Sequence, residues 1–263
     1  MKIIKTSLIT IFALAILAEM LYLFALPPAI NYALKKGIVE KIIKKETGLA
    51  LKTDELKVRT TLGFNAVVEV KNAVLRDANN EKILDSEQIK TKISIPSLIF
   101  QTPEIKNLYI NRSWVRISRD EKNDIYLGTY KLDKNQKINL KLKNFRGEIT
   151  NTSIIYKDLP TNDEITSRIN FHVKKYRENK YLNADFFAKI YHEANESSVQ
   201  FHIDSRLPLL KHLEKASITG SVENLDISAY SGLISIYLPE ITGLKGHIRA
   251  VFYTKATENG KNK

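Results

Sequence analysis

Cysteine is absent from the 263 residues of this chain. Disulfides, thiolate nucleophiles and cysteine-based metal sites are therefore excluded, while the compartment is left open. Glycine (10) and proline (7) are scarce and scattered, so the sequence offers neither a flexible linker nor a low-complexity tract. The histidines, His172, His192, His202, His212 and His247, show no i+3 or i+4 pairing. An H-E-x-x-H helix, a G-x-S-x-G elbow and a phosphate-cradling glycine loop are also missing. His192-Glu193 with Glu196 reads as a solvated strand turn. These absences lead us to expect no catalytic constellation, no metal, no cofactor and no enzyme.

Acid is the minority charge. Lys and Arg number 41 against 29 Asp and Glu, a formal net charge of +12. Such a balance fits an anionic membrane surface or nucleic acid, and it equally fits a lysine-rich proteome, because the charge is spread along the chain. Trp114 beside Arg112 and Arg116 is a combination found in nucleic-acid sites; on a sheet face it reads as packing, and we expect no nucleic-acid partner. Hydrophobic residues make up 43%, enough for a folded chain.

The one long apolar run, SLITIFALAILAEMLYLFAL at 7–26, follows a short basic start and precedes Pro27-Pro28. Its 20 residues at about 1.5 Å each match the roughly 30 Å hydrocarbon layer. A signal-peptide cut at Ala13-Leu14-Ala15 or after Ala18 would leave apolar residues stranded, so a retained transmembrane anchor is expected over 1–26. Glu19 inside it is either tolerated there or read by a partner helix. Lys2 and Lys5 precede the span, and Lys35, Lys36, Lys41, Lys44 and Lys45 follow it. By the positive-inside count alone the larger flank would be cytoplasmic.

Residues 27–48 predict an amphipathic helix, with Pro28 in its first turn and Gly48 closing it. Ile30, Leu34, Ile38 and Ile42 form its apolar stripe, beside Ala33 and Val39. The lysines off the stripe are the candidate membrane-surface contacts; alternatively, or in addition, the stripe caps a β domain.

From Leu49 onward period-two alternation dominates. Leu62, Phe64, Ala66, Val68 and Val70 share one parity; Ile89, Ile93 and Ile95 alternate with lysines; Val115 and Ile117 face away from Trp114 and Arg116; Ile138, Leu140 and Leu142 alternate with polar residues. Antiparallel sheet with one apolar face follows, broken by turns at Asn79-Asn80, Lys122-Asn123-Asp124, Asp133-Lys134-Asn135 and Glu178-Asn179-Lys180. Pro96-Ser97-Leu98-Ile99-Phe100 reads as a short helical turn. A four-residue pattern places Asn72, Asn107, Asn144, Asn183 and Asn224 at intervals of roughly 35–41 residues. If it is a structural repeat rather than chance, these asparagines share one strand geometry, such as an αL bulge.

The order of features resembles the start of the AsmA-like family, the YhdP- and TamB-related periplasmic bridge-like lipid-transfer proteins. It is carried by Glu46-Thr47-Gly48, Val70-Lys71-Asn72-Ala73-Val74-Leu75, Leu84-Asp85-Ser86, Ile105-Lys106-Asn107-Leu108-Tyr109-Ile110 and Val115-Arg116-Ile117, over about residues 1–130. Ile218–Ile227 with Leu244-Lys245-Gly246 is similar to the family's middle region. The family's usual Asp-Gly-x-Trp-Asn turn is replaced by Glu121–Tyr126. The resemblance implies an inner-membrane, single-pass protein with its bulk in the periplasm, overriding the lysine count. It implies a mainly β fold in which 49–255 form a long curved antiparallel sheet, an open groove for lipid acyl chains, ahead of a polar tail at 256–263. Phospholipid transport between inner and outer membranes is the implied function, with phospholipids as partners. Length is the main departure from the family: about fifteen strands at about 4.8 Å each would give roughly 70 Å of sheet, too short to bridge the periplasm alone. Leu62, Phe64, Ala66, Val68, Val70, Ile93, Ile95, Val115, Ile117, Leu140 and Leu142 are then the candidate groove lining. The alternative is an anchored scaffold for envelope or outer-membrane protein assembly, with other envelope proteins as partners and no lipid transfer.

Overall fold

The computed structural model describes residues 19–20, 22–99, 102–132, 141–142, 144–177, 180–206, 216–230, 234 and 245–254. Most of the expected anchor, part of the 138–142 run and the polar tail therefore lie outside the described residues. Among those described, no helix is long and apolar enough to cross a membrane.

The expected helix over 27–48 is two helices, α1 (Leu26–Lys35) and α2 (Ile38–Thr47). Gly37 breaks it in the left-handed region at φ 66°, a conformation glycine adopts without strain. Gly48 ends α2 at φ 73° with its N–H on Lys44 O, as the sequence predicts. Pro27 and Pro28 both fall in the first turn of α1, where their missing N–H groups have no helical partner to lose.

One sheet of 13 strands follows. It comprises β1 (Ala50–Lys52), β2 (Glu55–Thr61), β3 (Asn65–Arg76), β4 (Lys82–Ser94), β5 (Ile105–Arg119), β6 (Ile125–Leu127), β7 (Tyr130–Lys131), β8 (Asn144–Asp158), β9 (Asp163–Arg177), β10 (Tyr181–His192), β11 (Asn195–Arg206), β12 (Ala216–Asp226) and β13 (His247–Thr254). The short helix α3 (Ile95–Ile99) joins β4 to β5 where the proline-led turn was expected. The strand path is β1-β3-β4-β5-β8-β9-β10-β11-β12-β13. These ten strands make nine steps of about 4.8 Å, or about 43 Å of sheet, shorter than expected. The reason is local: β1 and β2 share the same edge of β3, and β6 and β7 form a side hairpin beyond the end of β4.

The sheet is not wholly antiparallel. β5 and β8 run parallel, because the hairpin β6-β7 leaves from the far end of β5 and the chain re-enters at its start, where Ile105 N donates to Lys141 O. The repeat does not survive as a common geometry: Asn72 and Asn224 adopt positive φ, whereas Asn107 and Asn183 do not.

The N-terminal helices guard one edge of the sheet. Asn31 on α1 donates from Nδ2 to Val58 O and accepts Val58 N–H on Oδ1, both at 2.8 Å, so its amide stands in for a neighbouring strand along β2. Thr60 Oγ1 donates to Leu23 O, and the Tyr22 hydroxyl donates to Asn65 O. Replacing Asn31 with alanine removes both bonds at Val58. We expect a loss of about 1–3 kcal/mol and faster hydrogen exchange at the Val58 amide, with the β10–β11 amides unchanged.

Candidate functional site

Residues paired across neighbouring strands share a face of the sheet, so the register traces each face directly. One row starts at Val58 and passes through Val68, Thr91, Leu108, Gly147, Val173, Ala184, Ile203 and Ile218 to Thr254. The next row on the same face runs Leu56, Val70, Ile89, Ile110, Ile149, Phe171, Phe186, Phe201, Gly220, Phe252. Both rows cross the sheet from β2 to β13 with no charged side chain.

Between them on the opposite face lies a row of a different character: Lys57, Glu69, Lys90, Tyr109, Glu148, His172, Asp185, His202, Thr219, Tyr253. Charges of alternating sign meet across strands here. Asp185 accepts from Lys174 at 2.8 Å and pairs with His202 Nδ1 at 2.6 Å. The Lys174 hydrogen bond, then His202, hold the Asp185 carboxyl below the usual carboxylate range against the opposing effect of desolvation. This face is built for water.

Aromatic rings concentrate on the apolar face between β9 and β13. Phe186 stacks on Phe201 with centroids 4.7 Å apart, and Phe171 meets Phe186 edge-on at 6.3 Å. Gly220 leaves a slot that the Phe252 ring fills; a Cβ there would lie 2.4 Å from Phe252 Cζ. Gly147 does the same for the Phe145 ring. The rings thus lie down across the sheet at both glycines.

Left-handed residues keep the apolar face continuous. Ile149 and Thr152 both pair onto the same face of β9, at Phe171 and Ile169, although three residues apart. Asn151 at φ 50° takes up the extra residue, and its β5 neighbour Arg112 does likewise at φ 47°. Asn72 at φ 50° makes the same step in β3. Beyond these kinks the face carries Val115, Ile117 and Arg119 on β5 and Ile154, Tyr156 and Asp158 on β8.

That end of the face is closed. Arg119 is 5% exposed and grips Asp158, 3% exposed, through Nε at 3.0 Å and one terminal nitrogen at 2.8 and 2.6 Å. Tyr156 and Ile165 form a small core covered by Tyr230, from a single 3-10 turn after β12, with Ile117 and Ile190 beside them. Burial pushes the Tyr230 phenol from an ordinary 10.0 up to about 12, with Asp226 adding to the rise and a Ser167 hydrogen bond opposing it. Burial raises Tyr156 too. A raised folded value means the native state holds its proton more tightly. The resulting stability is whole below pH 10 and is lost as pH rises from there toward about 12. Urea unfolding across that window will show the decline, and Tyr230→Phe will flatten it.

The structure sorts the expected groove residues. Ala66, Val68, Val70, Ile93, Val115 and Ile117 lie on the apolar face. Leu62 and Phe64 do not line a strand: they sit in the β2–β3 turn, where Gly63 (φ 76°) and Phe64 (φ 53°) end the alternation. Leu62 is 74% exposed, and the Phe64 ring rests on Tyr22. Ile95 opens α3 instead of extending β4. Leu142 is outside any strand, and Leu140 lies outside the described residues. Phe171, Phe186, Phe201 and Phe252 were missed; the only signal was their alternation with Asn170, His172, Gln200 and His202.

Near the N-terminus Glu19 Oε1 accepts the Gly63 N–H at 2.9 Å, so its carboxylate meets the β2–β3 turn of its own chain. The apolar stripe divides at Gly37. Ile30 and Leu34 are half-buried, whereas Ile38 and Ile42 are exposed, 41% and 54%, on a helix with no buried residue. Lys35, Lys36, Lys41, Lys44 and Lys45 are exposed as well, Lys36 resting over the Tyr32 ring. Among the described residues no group of three His, Asp or Glu is placed to hold a metal ion. No family model matches the sequence, and no curated protein matches it.

Proposed function

We propose that this protein is a membrane-anchored lipid carrier rather than an enzyme: its apolar sheet face takes up phospholipid acyl chains and passes them between the inner and outer membranes, with the sheet in the periplasm. The observation that carries the reading is the pair of uncharged rows running through ten strands. Among the described residues no helix or second sheet lies over the middle of this face, yet Ala184 and Ala188 on it are almost fully buried. A sheet curled toward that face accounts for both facts, since curling brings neighbouring side chains together over the small ones. The Arg119–Asp158 lock and Tyr230 close such a trough at the strand ends and leave it open across the strands, the direction in which the uncharged rows run.

The N-terminus supports a place at a bilayer. The 7–26 run is the most apolar stretch of the chain, its last part from Glu19 bonded to β2 and the β2–β3 turn, and α2 presents Ile38 and Ile42 among lysines, the pattern of a helix on anionic headgroups. The order of features shared with AsmA-like proteins points the same way. A second reading, an anchored assembly scaffold without lipid transfer, draws on the exposed edge of β13.

Organic extraction of the purified full-length chain tests the carrier reading. Bound phospholipid near one or two molecules per chain is expected, and protein free of lipid after mild detergent extraction overturns it. The α2 contact has its own test. Lys41→Glu with Lys44→Glu and Lys45→Glu will weaken binding to phosphatidylglycerol vesicles by about tenfold or more, since each lysine contributes about 1 kcal/mol near such a surface. Neutral phosphatidylcholine vesicles will show no difference.

A further inference from the structure

The two edges of the sheet are managed differently. Along β2 the backbone is met by Asn31, whereas among the described residues β13 pairs with β12 alone, and all eight of its residues are exposed. β13 contains no proline, lysine or acidic residue, devices that discourage pairing at an edge, and Arg249 is its one permanently charged side chain. It presents Val251 and Tyr253, 81% and 65% exposed, beside Phe252.

We propose that β13 is a dimerisation edge, where two copies of the chain pair antiparallel about a twofold axis at Val251. Head-to-tail growth is blocked, because the opposite edge is occupied by α1, so the pairing closes at two copies. A twofold through Val251 sets residues of like parity opposite each other. Ala250 then meets Phe252 and Ile248 meets Thr254 on the apolar face, and Arg249 meets Tyr253 on the polar face. No charge faces its own copy, and Arg249 gains an aromatic ring. The apolar face continues from one copy to the other, roughly doubling its length, with N-terminal helices at both outer ends. The inference rests on the edge and not on the lipid reading, and it stands or falls separately.

The absence of cysteine gives a clean test. Full-length protein in detergent should have the mass of a dimer by light scattering, and Val251→Asp, which places two carboxylates on the axis, should reduce it to a monomer with an unchanged circular dichroism spectrum. Val251→Cys should form a disulfide-linked dimer on mild oxidation, while Leu62→Cys, similarly exposed in the β2–β3 turn, should not. A monomeric parent chain at tens of micromolar overturns the proposal. So does a dimer indifferent to Val251→Asp, cross-linking no greater at 251 than at 62, or a different protein's strand found on β13.

Discussion

Phe201→Asp will strip the protein of bound lipid. Phe201 sits mid-row between Phe186, its stacking partner at 4.7 Å, and Gly220, over which the Phe252 ring lies. An acyl chain threading this row would have to desolvate the carboxylate, and the row itself contains no cation to pair it. An uncompensated polar group in such surroundings costs about 2 kcal/mol or more, so retention should fall by at least about tenfold. The neighbouring change Gln200→Asp places the same charge on the water-facing side, where Gln200 is exposed, and should leave retention unaltered. Because the apolar face lies open over β11 among the described residues, the aspartate can hydrate in the lipid-free protein, and the fold should persist. Lipid retention equal in both variants would separate the apolar rows from the function.

The largest effect on stability is expected at the closed end. Arg119→Met leaves Asp158 buried without its guanidinium, and removing one partner of a buried pair typically costs about 3–5 kcal/mol. Urea titration should show the midpoint falling steeply with little change in slope. Adding Asp158→Leu removes the stranded carboxylate, and most of the loss should return, because a packed apolar pair can replace a buried ionic one. Arg119 also donates to Asn123 at 2.7 Å in the β5–β6 turn, so recovery should stop short of complete. A double variant no better than Arg119→Met alone would mean that the guanidinium, not the orphaned acid, dominates.

Alternation made the strands legible, since Ala66, Val68 and Val70 or Val115 and Ile117 need only two-residue periodicity to declare a face. Gly48 and the proline-led turn at α3 were equally readable, because their chemistry is local. What escaped the sequence is pairing. Arg119 finds Asp158 only because β5 and β8 run parallel, an arrangement set by how the chain re-enters at Lys141. The Phe171–Phe186–Phe201 row is assembled from three strands, and Phe187 beside Phe186 blurs the parity of β10. Two-residue periodicity does not mark the β2–β3 turn, because Leu62 and Phe64 keep the alternation in letters while Gly63 and Phe64 leave extended geometry. Gly37 was hidden within an unbroken apolar stripe, although its φ of 66° divides the helix and turns Ile38 and Ile42 outward.

The central claim is that lipid lies on one face of this sheet. A photoactivatable residue placed in turn at 200 and at 201, in cells, distinguishes the two faces with adjacent positions of one strand. The account predicts phospholipid adducts from position 201 and none from 200. Equal capture from both, or protein adducts alone from 201, would contradict it.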